Sequence, residues 1–277
     1  MSGAVYPPPH HVLRDLAFES ERRHDHTIVR AEATPYLAHG GDHLGIGALA
    51  VLLDVSGAAT AIGAVAPDWI ATVDLTYHGR PVPLGPVLID VAPVRIGRNL
   101  VVMGASVEAG ATDPDPHRRR GRGLVTFARI PGSATELTVD DTPTDPVPLL
   151  AAEPLDEPIE DRLLVRIVDA GAGVLEMPHH DYARNSFGTI NGGVVGLLCE
   201  AAARHCAAAL LDATVQTHGI EIHFLEQTRS GPARTSTEIV RADDHGATIR
   251  VELNDVGAGG ALLAIGIVGV VTSPPRS

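Results

Sequence analysis

Aromatic side chains make up only 3% of this 277-residue chain. Its core cannot rest on packed rings, so Ala, Val, Leu and Ile must fill it, and a hydrophobic content of 44% is enough for a sizeable one. Cysteine is almost missing. Cys199 and Cys206 fall seven residues apart in one expected helix, about 10 Å along its axis. A disulfide needs Cα atoms within about 7 Å, so the two read as small core residues in a reducing compartment. Positive charge is in deficit, with a formal net charge of -13 and a pI of about 5.4. That balance excludes nucleic-acid binding by general attraction to phosphate. The N-terminus, MSGAVYPPPHHVLRD, lacks a basic cluster followed by an apolar core, so no signal peptide is expected. The longest apolar run, 44–66, is interrupted by Asp54 and several glycines. It reads as a buried helix rather than a membrane span, and a soluble cytoplasmic protein with no membrane partner is expected. No glycine-rich phosphate loop, G-x-S-x-G elbow or Cys–His signature occurs, and the 14 histidines show no zinc spacing. Neither metal nor cofactor is expected.

What is present is an internal echo. The segments flanking a Pro-, Asp- and Thr-rich stretch superpose at a shift of 146 without a gap. Tyr36 meets Tyr182, Gly47 meets Gly193, Asp54 meets Glu200, Gly85-Pro86 meets Gly231-Pro232, and Val94-Arg95 meets Val240-Arg241. The matches fall at a helix start, a mid-helix acid, a turn and a later strand, which predicts two copies of one unit. The expected division is 1–135, a Pro/acidic linker over 136–160, and 161–277. Each copy offers an extended stretch, a glycine-bearing loop, one long apolar helix (about 45–65 and 190–211), and then alternating β-branched segments broken by Gly, Pro and Asp. The fold class is therefore α+β, with antiparallel sheet curled around a central helix in each copy. Pairing the copies edge to edge covers the open sheet edge and the bare side of each helix.

Asp54 in LLDVSGAA and Glu200 in LLCEAAAR each put a carboxylate into a greasy helix. A buried carboxylate is costly unless hydrogen bonds or a partner satisfy it, so each is either a structurally satisfied acid or a working one. Upstream of Glu200 lie Asn185, Gly188, Asn191, Gly192 and Gly193. First-turn amides of a helix lack internal acceptors and favour negative charge. With glycine admitting a close approach, such a helix start can hold a carbonyl oxygen that becomes an oxyanion; it can equally be a tight turn. Glu200 stands eight residues past Gly192, about 12 Å down the same helix, and cannot serve its own helix start. An acid on the other copy's helix can, if the helices lie antiparallel. Asp54 is then expected at the Asn185/Gly192 pocket, and Glu200 at the pocket near His39 and Gly47.

The string N-x-x-G-x-x-[H]-G-G with an acid fifteen residues after the Asn resembles the PaaI-like group of hotdog-fold acyl-CoA thioesterases. Asn185, Gly188, Gly192, Gly193 and Glu200 match, with Asn191 at the usual His. The first copy departs further: His39 stands at the Asn position, Gly45 at the His, Ile46 at the first glycine, and Gly47 and Asp54 keep their places. The resemblance implies a double hotdog, two sheets each wrapped around a helix, hydrolysing acyl-CoA at sites shared between copies. It implies that Asp54, Asn185, Gly192 and Glu200 carry catalysis, that His39, Gly47, Asn191 and Gly193 shape the pockets, and that a strand threonine stands beside each acid. Thr72 is the candidate for Asp54 and Thr217 for Glu200; either could be an ordinary strand residue. Asp54 would act as general base on water or as nucleophile, alternatives the sequence leaves open.

Arg95 and Arg98 are candidates for the CoA phosphates. HRRRGRG (117–123) is the one dense basic patch and reads as a solvated hairpin tip. The D-x-N-x-x-H string of hotdog hydratases is missing. The remaining alternative is a non-catalytic acyl-CoA-binding module. A homo-oligomer of the double unit is a further expectation.

Overall fold

The computed structural model describes residues 7–24, 26–38, 41–66, 68–131, 147–148 and 155–273. The elements in chain order are α1 (Val12–Asp15), β1 (Glu19–Arg23), β2 (His26–Ala33), α2 (Ile46–Val65), β3 (Trp69–Gly79), β4 (Gly85–Ile96), β5 (Leu100–Ala109) and β6 (Arg119–Ile130). They continue with α3 (Ile159–Arg162), β7 (Arg166–Asp169), β8 (Val174–Met177), α4 (Gly192–Leu211), β9 (Val215–Phe224), β10 (Ala233–Asp243), β11 (Gly246–Asp255) and β12 (Ala261–Thr272). Both long helices begin and end 146 residues apart, and β3 and β9 start at the same interval.

The expected pair of sheets is one continuous sheet, because the edges of the two halves pair. Its strand order is β7-β8-β10-β11-β12-β9-β3-β6-β5-β4-β2-β1, ending on Val147–Pro148. The halves meet where Asp74–His78 of β3 runs antiparallel to Gly219–His223 of β9. That pairing removes two sheet edges that would otherwise be exposed. The β-branched alternation of β11, with Ala247, Ile249, Val251 and Leu253 buried, turns one face onto the helices.

Helices α2 and α4 are each long and apolar enough to cross a membrane by length and composition, but two-thirds of each is buried within the protein. α2 is apolar nearly all round because it is surrounded. The two run antiparallel and touch backbone to backbone. A Cβ on Gly193 would fall 2.2 Å from Val51 Cα, and one on Gly47 would fall 2.5 Å from Leu197 Cα. Glycine at these two positions is what permits the crossing. Cys199 and Cys206 are free and buried in α4.

Two local expectations need correction. The extended stretch 162–178 is instead a hairpin of β7 and β8, bent by Gly173 at φ 57°. The basic patch is a hairpin tip only in part: His117 and Arg118 lie in the connecting loop, in the 3-10 turn Pro116–Arg118, while Arg119–Gly123 is strand, paired with both β3 and β5. Most of the expected linker, 136–146 and 149–154, lies outside the described residues. The start of the chain docks on the far half. His11 donates from Nε2 to the Arg184 carbonyl (2.6 Å), and Asp15 accepts from the Tyr182 hydroxyl (2.8 Å) and pairs with Arg162 (3.0 Å).

Candidate active site

The antiparallel crossing sets the acid of each helix at the start of the other. Asp54 lies two turns into α2, buried, with its Oδ2 accepting from the Gly193 amide (3.2 Å) and its Oδ1 from the Thr72 hydroxyl (2.7 Å). Glu200 lies buried in α4. Its Oε1 accepts from the Ile46 amide (3.0 Å) and from the Thr217 hydroxyl, and its Oε2 from the Gly47 amide (2.6 Å).

The threonines reach the acids because of strand irregularity. β3 carries a bulge between Thr72 and Asp74, and β9 one between Thr217 and Gly219. An added residue shifts the face of everything beyond it. Thr72 and Leu75 therefore both point at the helices although three positions separate them, as do Thr217 and Ile220.

The two acids differ in how far they are satisfied. Burial is the larger influence on Asp54 and pushes its pKa up to about 6, against the opposing pull of the Thr72 and Gly193 hydrogen bonds. The Gly193 amide is shared, for Asn191 at the N-cap of α4 also accepts from it at 3.0 Å. Gly192 stands bare beside the acid: a Cβ there would lie 3.0 Å from Asp54 Oδ2 and 3.3 Å from Oδ1. As the first residue of the helix, it has an amide with no acceptor inside the helix. A carboxylate titrating near neutrality next to such a helix start can take a proton from water or attack a carbonyl, while the amide polarises that carbonyl's oxygen.

The remaining predicted residues divide. Asn191 caps its own helix. Asn185 is engaged within its loop: its Oδ1 accepts from the Phe187 and Thr189 amides (2.9 and 3.1 Å), and its Nδ2 donates to Thr189 Oγ1 (2.8 Å). It shapes the turn rather than bonding the acid. Arg95 and Arg98 are exposed at the β4–β5 turn, with no ion pair to either among the described residues. His39 lies outside the described residues.

Sequence reasoning missed Trp69 and Phe187. Phe187, on the Asn185 loop of one half, packs on Trp69 of β3 in the other, with ring centroids 5.3 Å apart. Trp69 is three residues from Thr72, about 10 Å along the strand. Next to Thr217 in β9, Gln216 Nε2 meets His43 Nδ1 at 3.1 Å. A cavity of about 250 Å³ lies between His218, Arg241 and His245, and no residue of either acid cluster lines it.

Residues 181–271 match the family described as acyl-CoA thioesterase N-terminal domain. No curated protein matches the chain. Among solved structures, a candidate thioesterase II of Thermobifida fusca YX is similar at a TM-score of 0.62 and 17% identity, over 98% of this chain and 99% of that one. The tesB protein of Mycobacterium avium subs paratuberculosis gives 0.63 and 13%, over 95% and 98%. A hot dog fold protein of unknown function from Alicyclobacillus acidocaldarius gives 0.61 and 13%, over 96% and 98%. Residues 181–271 thus match an acyl-CoA thioesterase domain and the chain shares the hotdog fold, which together support a thioester hydrolase.

Proposed function

We propose that the chain is a tandem of two PaaI-like hotdog units, 1–135 and 161–277, that hydrolyses an acyl-CoA thioester at a site both units build. The carrying observation is Asp54 of the first unit bonded to the first-turn Gly193 amide of α4 in the second, with Gly192 leaving that approach bare. The 146-residue interval between the long helices supports the tandem reading.

In this reading the thioester carbonyl lies at the Gly192 amide, where the helix terminus stabilises the charge that develops on oxygen. Asp54, ionised above about pH 6, removes a proton from the water that attacks the carbonyl carbon, or attacks that carbon itself to form a mixed anhydride that water then hydrolyses; in either case the C–S bond breaks and the CoA sulfur leaves as the thiol. Thr72 holds one carboxylate oxygen so that the other faces the helix start. Asn191 and the Asn185 turn fix the loop that delivers Gly192.

The test is release of free thiol from short, long and aromatic acyl-CoA esters, by the wild type and by Asp54→Ala. Wild-type turnover lost in Asp54→Ala is expected. Turnover retained in Asp54→Ala removes the acid from the chemistry, and calorimetric binding without thiol release in the wild type identifies a binding module instead.

A further inference from the structure

We propose that Glu200 is the N-cap of α2, supplied by the other long helix, and that the molecule has one working acid site rather than two. Three observations converge on this.

Helix α2 has no cap of its own. Its N-cap residue is Gly45, with no side-chain bond to the first turn. The residue 146 positions later is Asn191, which caps α4 through the Gly193 amide. Glu200 reaches into that vacancy and takes both the Ile46 and Gly47 amides. Glutamate is one methylene longer than Asp54, and that length lets one carboxylate span two successive amides.

The Glu200 oxygens are also committed. One accepts from two donors and the other from a third, all buried. Asp54 has two donors, one of them shared with Asn191. Finally, Ile46, a buried core residue, stands where Gly192 leaves the approach bare at the other site.

The one-site statement rests on the thioesterase reading of Asp54; the capping statement does not. The experiment is a double-mutant cycle between Glu200→Gln and Gly45→Asn, read by denaturant unfolding and by thiol release. Glutamine keeps one acceptor oxygen, so the variant retains a partial cap. Glu200→Gln is expected to raise the unfolding equilibrium constant by up to about 10-fold, complete loss of a cap setting the upper limit. Gly45→Asn copies the α4 cap: it should recover most of that loss in the Glu200→Gln background and gain little in the wild type. Additive effects of the two substitutions would overturn the capping assignment. Turnover per folded molecule should stay within about threefold in Glu200→Gln, with its pH midpoint still that of Asp54. A Glu200→Gln enzyme that folds but loses turnover as Asp54→Ala does would overturn the one-site assignment. If no thioester is cleaved by the wild type, the thioesterase reading and the one-site statement fall together, and the unfolding cycle still decides the cap.

Discussion

Replacing Asp54 by Asn keeps the shape of the side chain and removes its charge. The amide oxygen can accept from Gly193 while its NH₂ donates to Thr72, whose hydroxyl serves as donor or acceptor. Burial raises the Asp54 pKa from 3.8 to about 6, which corresponds to about 3 kcal/mol at roughly 1.4 kcal/mol per tenfold change. In the unfolded chain the group titrates near its ordinary value. Between about pH 4 and 6 the native state therefore holds a proton that the unfolded state has lost. Stability contributed by that proton is complete below the lower value, falls as pH rises through the window, and is absent above it. At pH 7 the wild type bears the full cost of a buried carboxylate, and the asparagine variant would not. Asp54→Asn should thus be more stable than the wild type by up to about 3 kcal/mol at pH 7, with the difference closing towards pH 4. Catalytic thiol release should disappear at every pH. A variant inactive yet more stable is the signature of an acid kept for chemistry at the expense of the fold. Guanidinium unfolding at pH 7 and at pH 4.5 measures it. Equal stabilities at pH 7, or a gap that does not shrink at the lower pH, would refute the assignment of a buried, destabilising carboxylate.

Thr72→Val removes a hydrogen bond that holds the Asp54 pKa down, so the midpoint of the pH–rate profile should move above about 6 and activity at pH 6.5 should fall more than at pH 8. Gly192→Ala places a methyl 3.0 Å from the Asp54 carboxylate; turnover should drop with a cost in unfolding free energy below about 1 kcal/mol, near the range for a surface-like change. Gly193→Ala drives a methyl to 2.2 Å from the Val51 backbone and should instead destabilise by about 1–3 kcal/mol or more, visible as a lowered melting temperature before any assay of activity.

The helices were legible because their signal is redundant: α2 is apolar over its whole length, and its start was expected within one residue of Ile46. α4 begins two residues later than expected, at Gly192, because Asn191 is spent as its cap. An acid two turns down a helix cannot serve its own start, so the antiparallel crossing was the condition under which the other helix's acid could. What the sequence did not display was the direction of individual side chains. ATVDLTY reads as plain alternation, and only the bulge after Thr72 turns that hydroxyl and Leu75 to the same face. Asn185 matched a ligand position, yet Thr189 four residues on competes for its amide and wins. The docking of His11 and Asp15 on the far half joins residues more than 160 positions apart, and no local pattern encodes a contact of that separation.

In the sequence the two acids stand as equivalents, and the difference between them reduces to two positions 146 apart. Where the helix cap is asparagine and the next residue glycine, the chain satisfies its own helix and leaves the facing carboxylate partly unsatisfied, with its pKa pushed up to about 6. Where the cap is Gly45 and the next residue Ile46, the facing carboxylate must satisfy the helix itself, and a buried isoleucine replaces the bare glycine. Poised chemistry and helix capping draw on the same amides, so one acid cannot do both fully. A two-unit chain can separate these tasks, because a substitution at Gly45 or Ile46 changes one crossing and leaves the other intact. A symmetric dimer of identical units could not, since each change would strike both.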